Sequence, residues 1–593
     1  MAFNDLNSTK VGTKGSDVYT AAGVEDPRVA LSVLLVQGCS PSDVETGLNA
    51  IIGSGDKAML EDAFVLLFQT RDVRGGKGIR DATLHMMRHF LNKWQTRNVM
   101  VQLLDLIPEY GSWRDLKVLA METLDSPDIQ ERILNLFHEQ MLKDEGLMGA
   151  EGSLSLAAKY APRECHEKSA EKQLAKELAQ RMFPLSPKHS VRMKNYRQLV
   201  SKLNKVLDTA EVKMCGKNFA DIEPAKVPGR CLQKNMKAFL NQPSTYKKAE
   251  HPRPSKDEDR VLCAEHFKEH MANASKGEAK VNGSKTVYPH ELVKKVASTI
   301  GRHQYYDQDE DGKITSNMTQ GEMNTIIGVW NQMVSDAKDG GGLGRSLAMC
   351  DFSGSMQSSS TNHDTPYWVS MAMGLLISEL TTKEFKDTFL TFDSEPTLHK
   401  LPKGTIFDRV RSISGHIGQG GSTDFQKAMD LVLAQLKATR CRPGQEPENL
   451  IVLTDMNWDQ ACGSHQSSYY TGNRYRHVVK TDAWQTHVEM IREAFKRAGE
   501  DMWGSEADGG LGGWKMPTIV IWNIAATSTD FHAKADTEGV VMMSGWSPNL
   551  FKVLQTEGVV QWTPYQSLRV QLDDERYAPI RERVRLLLSE KKL

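Results

Sequence analysis

SLAMCDFSGSM, residues 346–356, decides the reading of this 593-residue chain. An apolar run, short enough for one buried strand, ends abruptly in Asp351-Phe-Ser353-Gly-Ser355, a loop of small and oxygen-bearing side chains. Buried parallel strands read as continuous apolar runs, and parallel sheets gather ligand-binding groups beyond the carboxyl ends of their strands. Two further stretches continue the pattern. LIVLTD places Asp455 at the end of another apolar run, and GQGGSTDF places Thr423 in a glycine-rich loop that opens a helix. Together the five side chains offer oxygen alone: two carboxylates and three hydroxyls. Oxygen donors of low total charge suit Mg²⁺ or another divalent cation, which keeps several waters and can accept one ligand from a partner.

Around these loops, strand and helix alternate. PYWVSMAMGLLISELTT, TDFQKAMDLVLAQLKA and TDAWQTHVEMIREAFKRAG have the length and spacing of helices, and DTFLTF, NLIVLTDM, PTIVIWNIA and GVVMMSG are short apolar runs fit for buried strands. Alternation of this kind predicts a doubly wound, Rossmann-like α/β domain over residues 345–570, followed by a C-terminal helix over 571–593.

Residues from about 25 to 245 read as helix after helix, within a helical domain expected over 25–340. DKAMLEDAFVLLFQTRDVR, GIRDATLHMMRHFLNKW and PDIQERILNLFHEQML each carry an apolar face of period 3.6, separated by Gly- or Pro-bearing breakers such as RGGKG and DSPD. Serial antiparallel pairs predict a helical-repeat, HEAT-like array, although no fixed sequence period is visible. Polar stretches within about 246–290 read as linkers or surface insertions flanking a short helix, and residues 1–24 as a flexible N-terminal segment. The fold class expected is therefore α plus α/β, in two domains or more.

Two segments of the helical part are basic. QTRDVRGGKGIRD surrounds a Gly-Gly turn with Arg71, Arg74, Lys77 and Arg80, where backbone amides at a helix start could hold phosphate. SPKHSVRMKNYRQLVSKLNK, residues 186–205, contains no acidic residue, and Lys188, His189, Arg192, Lys194, Arg197, Lys202 and Lys205 could track a nucleic-acid backbone while Tyr196 stacks on a base. A solvated helical face or a structural turn also explains such runs. A third stretch, DQDEDGKITSNM at residues 307–318, imitates an EF-hand loop through Asp307, Asp309, Asp311 and Gly312. Its twelfth position is Met318 instead of a bidentate Glu, so an acidic surface loop is the better reading.

The bulk numbers set outer limits. A net charge of −1 argues against a chain that is basic throughout, though not against a local basic patch. No run approaches the roughly 18–20 apolar residues that span a bilayer, and the N-terminus is polar, so a cytoplasmic protein without membrane contact is expected. Eight cysteines without a CxxC pair support neither a zinc site nor a redox motif. A Walker lysine motif and a GxGxxG fingerprint are both missing, and only Asp424 and Asp459 stand near the carboxylates as supporting groups, so the site is read as non-catalytic.

DFSGSM, GGSTDF and LTDM resemble the three elements of the metal-ion-dependent adhesion site of von Willebrand A domains. That resemblance implies Asp351, Ser353 and Ser355 as first-loop ligands, Thr423 as second-loop ligand, and Asp455 in contact with the ion directly or through water. FQTRDVRGGKGIRD, LIPEYGSWRDL, SLAAKYAPRE, KNYRQLVSKL, AEVKMCGKNFADI and KVPGRCLQKNMKAFL, then DMNWDQA, PTIVIWNIA and GVVMMSGWSPNLFKVL, are similar to a family of viral, phage and eukaryotic proteins that pair such halves. The architecture resembles that of the TROVE-module Ro proteins, a helical ring closed by a von Willebrand A domain. It implies a non-catalytic protein binding structured or single-stranded RNA. The alternative kept open is a metal-dependent adhesion or scaffold protein that takes a protein partner through the ion, or a component of a virion assembly.

Overall fold

The computed structural model describes residues 9–11, 17–123, 125–149, 153–164, 169–243, 254–300, 318–357, 366–392, 395–414, 425–457, 484–526, 528–555 and 562–589. Its fold is α plus α/β, divided into two units. One comprises Met1–Met59, Tyr288–Met318 and Met333–Asp574, and the other Leu60–Val287, Thr319–Gln332 and Glu575–Leu593.

In the first unit, β1 (Thr9–Val11) and β2 (Asp17–Tyr19) form an antiparallel pair. The remaining strands, β3 (Ser346–Asp351), β4 (Thr388–Phe392), β5 (Leu398–Lys400), β6 (Asn449–Thr454), β7 (Thr518–Asn523) and β8 (Val540–Ser544), build one sheet in the order β5-β4-β3-β6-β7-β8. Every pairing is parallel except the edge pair β4–β5. β3, β4, β6, β7 and β8 are buried at every position, which is why their sequences run apolar without alternation. The order reverses between β3 and β6, and a crevice at the carboxyl ends of two such strands is where doubly wound sheets bind ligands. Helix Pro366–Leu380 packs on β3. Its Gly374 makes the approach possible, since a Cβ there would sit 2.2 Å from Cys350 Sγ.

The division of the chain differs from the expected one. Helix Pro27–Leu34, predicted as helical-half material, covers edge strand β8: Ser544 Oγ donates to the carbonyls of Ser32 (2.8 Å) and Leu35 (2.9 Å), and Asn523 Nδ2 to that of Val33 (3.0 Å). These bonds tie the helix to the carboxyl ends of β8 and β7 and give buried side-chain polar groups their partners. Helix Pro289–Ala297 also joins the sheet unit, burying Leu292, Val293 and Val296 against neighbouring helices. Part of the segment read as flexible, residues 9–11 and 17–19, is paired strand. Apolar periodicity marked these elements correctly as amphipathic but carried no information about which core each would join.

The second unit is helical, from Leu60 within helix Lys57–Arg71 through Glu258–Ser275, and helix Ala578–Ser589 returns to it from the end of the chain. Among the described residues, no helix is long and apolar enough to cross a membrane.

Candidate functional site

Asp351 is the last residue of β3 and Asp455 follows the last residue of β6, so the two acids stand on either side of the point where strand order reverses. Asp351, Ser353 and Asp455 are all fully buried. Each carboxylate is held by its own loop. Ser353 N–H donates to Asp351 Oδ1 (2.9 Å), a tight local turn of the kind aspartate favours, and Thr454 Oγ1 donates to Asp351 Oδ2 (2.9 Å) across the β3–β6 boundary. Asn457 clasps the second acid, its N–H reaching Asp455 Oδ1 (3.1 Å) and its Nδ2 reaching Oδ2 (3.0 Å). Ser353 Oγ and Ser355 Oγ lie 3.0 Å apart. Three of the loop positions named from sequence, Asp351, Ser353 and Ser355, are thus together, and Asp455 follows directly on Thr454, which bonds Asp351. Thr423, Asp424 and Asp459 lie outside the described residues, as does the acidic loop except for Met318.

Burial, and then the negative charge of Asp455, push the Asp351 carboxyl up to about 7. A carboxylate out of water beside a second acid is disfavoured in its charged form. Asp351 has no ion pair among the described residues, where no group of three His, Cys, Asp or Glu side chains could hold a metal either. Two carboxylates and two serine hydroxyls make an oxygen-only set, and a hard divalent cation fits that chemistry while neutralising the charge. Reading from sequence missed Thr454, Asn457 and His532. The first two flank Asp455 in LTDMN and were findable as loop polar residues. His532 lies 75 residues or more downstream, in the β7–β8 connection, and nothing in its neighbourhood marks it. Its ring is buried, and burial holds its pKa down at about 4.

The basic residues of the helical unit separate into two groups. Arg71 is buried, and its Nε and Nη2 both donate to Asp115 Oδ2 at 2.8 Å. Lys77 is 1% exposed, and the turn that carries it spends its amides internally: Gly76 N–H on Asp72 O, Lys77 N–H on Gln69 O, Ile79 N–H on Thr70 O. This stretch is therefore a structural turn and not a phosphate cradle, with only Arg74 of the four exposed and Arg80 partly so, beside Asp81 at 3.6 Å. A Cβ on Gly76 would lie 2.0 Å from Gln69 O, so Gly76→Ala is expected to cost about 2 kcal/mol or more in a thermal-unfolding measurement.

Tyr196 also departs from its expected role. It is 2% exposed, and its hydroxyl donates to Pro162 O (2.7 Å). Burial raises its pKa, and no base can stack on a ring in that position. Helix His189–Leu207 buries Met193, Tyr196, Leu199, Val200 and Leu203 on one stripe. The opposite face keeps Lys194, Arg197, Lys202 and Lys205 exposed, with Lys188 and His189 at its start; Arg192 is half-buried and donates to Ser186 O. Glu164 pairs with Arg197 and Glu145 stands 3.9 Å from Lys202. A second basic face, passed over in the sequence, lies on helix Gly229–Phe239, where Arg230, Lys234 and Lys237 are exposed at helical spacing and no acid is present.

A family model described as a domain of unknown function (DUF7788) matches residues 345–585, and another, also a domain of unknown function (DUF2828), matches residues 112–249. An uncharacterized protein of Acanthamoeba polyphaga mimivirus is 26% identical over 529 residues, covering 86% of this chain and 79% of its own length. The crystal structure of the Deinococcus radiodurans RO (RSR) protein aligns with 89% of this chain and 99% of its own, at a TM-score of 0.36 and 12% identity.

Proposed function

We propose that this chain is a non-catalytic binding protein whose sheet unit is a von Willebrand A-type domain holding Mg²⁺ or a similar divalent cation. One observation carries the reading: two fully buried, mutually repelling carboxylates, Asp351 and Asp455, sit at the strand-order reversal beside two serine hydroxyls. Asp351, Ser353 and Ser355 would hold the ion, with Asp455 direct or through water and Thr423 from the second loop. A bound ion would offset the buried charge and present an open position to an oxygen ligand of a partner, such as a carboxylate. Calorimetric titration with MgCl₂ tests it. Saturable binding that Asp351→Ala eliminates is expected, and identical titrations for wild type and variant would overturn the assignment.

A second reading concerns the helical unit and is favoured by the exposed basic face of helix His189–Leu207. It is Ro-like RNA binding, which the motif resemblance also implies. The face fits the phosphates of structured or single-stranded RNA, and Arg71, Lys77 and Tyr196 take no part in it. Reversing charge together at Lys194, Lys202 and Lys205 to Glu is expected to weaken RNA binding by roughly tenfold or more at low salt and to flatten its salt dependence. Gel shifts measure both, and unchanged affinity and slope would remove this reading.

A further inference from the structure

Met456 follows Asp455 with φ +67°, a left-handed conformation that residues other than glycine seldom adopt. Such a backbone persists only where its surroundings over-determine it. Here two contacts hold it. Met456 N–H donates to Thr454 Oγ1 (3.1 Å), and His532 Nε2 lies 2.9 Å from Met456 O. A carbonyl oxygen only accepts, so Nε2 carries the hydrogen. The turn held in this way is the one in which Asn457 clasps both oxygens of Asp455.

His532 is itself held from outside the sheet. The β7–β8 segment that carries it is paired with the N-terminal arm: Tyr19 N–H donates to Phe531 O (2.8 Å), Phe531 N–H to Tyr19 O (3.2 Å), and Ala535 N–H to Val24 O (2.9 Å). Side chains add to this on both flanks. Lys10 Nζ meets buried Asp530 at 2.7 Å and Thr529 Oγ1 at 3.0 Å, and Lys534 Nζ meets Glu25 at 2.6 Å. A continuous chain of contacts thus runs from Lys10 and Tyr19 through Phe531 and His532 to Met456 and Asp455.

We propose that His532 is a positioning residue for the cation site, and that the N-terminal arm sets how tightly the site holds its ion by fixing His532 in place. The inference rests on the cation reading above. The placement of the Asp455 carboxylate depends on the geometry of its turn, and groups one shell out from a ligand commonly change metal affinity ten- to a hundredfold.

The test uses the full chain and MgCl₂. His532→Leu, which cannot donate to Met456 O, is expected to weaken Mg²⁺ binding by about tenfold or more. His532→Gln places an amide N–H at a similar reach and is expected to restore most of that affinity. Lys10→Ala, far from the ion, is expected to weaken it in the same direction by less. Melting midpoints in EDTA separate these effects from general loss of fold, because a merely structural His532 would lower the midpoint without the Leu–Gln contrast in affinity. Amide exchange of the peptide spanning Met456 and Asn457 supplies a readout independent of the ion: faster in the Leu variant, near wild type in the Gln variant. If wild type binds no Mg²⁺ while the exchange contrast holds, the cation reading has failed and the His532 pin stands. Equal Mg²⁺ affinity and equal exchange in wild type and His532→Leu would overturn the proposal.

Discussion

Asp351→Asn is expected to raise the stability of the cation-free protein and, in the same molecule, to abolish its stabilisation by Mg²⁺. The two halves of this result have one cause. Asp351 and Asp455 are fully buried, and the pKa of Asp351 stands well above the usual carboxylate range because burial and its neighbour oppose its charge. Asparagine has nearly the same shape. Its oxygen can still accept from Ser353 N–H, and its amide can donate to Thr454 Oγ1, whose own hydrogen is then free to turn away. The repulsion disappears and the packing stays, a gain of between about 1 and 4 kcal/mol. Wild type has the opposite dependence: at a hundredfold excess of Mg²⁺ over its dissociation constant the ion adds about 2.7 kcal/mol. Calorimetric melting in EDTA and in MgCl₂ should therefore show the variant above wild type in the first and without response in the second. A variant that melts lower in EDTA and retains the Mg²⁺ shift would show that Asp351 is neither repelled nor a ligand.

The sheet and its loops were legible because their signals are local. Five apolar runs, each ending in polar residues, became β3, β4, β6, β7 and β8, and Asp351 and Asp455 fell at strand ends as their sequences indicated. Short β5, three residues on an edge and only partly buried, has no such signature. The helical unit was legible as helices and much less so as a surface. Arg71 looked available to phosphate because its partner, Asp115, is 44 residues away, and ion pairs at that separation leave no trace in a window of sequence. Tyr196 is a different matter. Its spacing from Met193, Leu199, Val200 and Leu203 already placed it on the apolar stripe, and period should have outweighed its chemistry. His532 was beyond reach, since its role depends on which loop of the sheet lies beside Met456.

The last and largest stability effect is expected at Asp72, in the helical unit. Asp72 is completely buried and accepts four hydrogen bonds: Arg576 Nε (2.5 Å) and Nη2 (2.9 Å), Tyr577 OH (3.1 Å) and Arg74 N–H (3.0 Å). Arg576 is also fixed from behind, with its guanidinium 5.0 Å from the Tyr110 ring centroid and its carbonyl accepting from Tyr110 OH (2.7 Å). Beyond this hub, helix Ala578–Ser589 is tied by Arg581 to Glu61 and Asp62, by Arg585 to Glu61, and by Arg583 to Asp105. These ties are not equal. Removing one partner of a buried charge pair leaves the other uncompensated and costs about 3–5 kcal/mol, whereas an exposed pair contributes about 1 kcal/mol or less. Asp72→Ala should accordingly free the C-terminal helix, seen as faster amide exchange over residues 578–589 and cleavage there by a protease that leaves wild type intact. Arg583→Ala, whose pair is 40% and 31% exposed, should leave that helix protected. If both variants exchange alike, the C-terminal segment is held by the apolar contacts of Ile580, Val584 and Leu588 instead, and the carboxylate at Asp72 serves only its own turn.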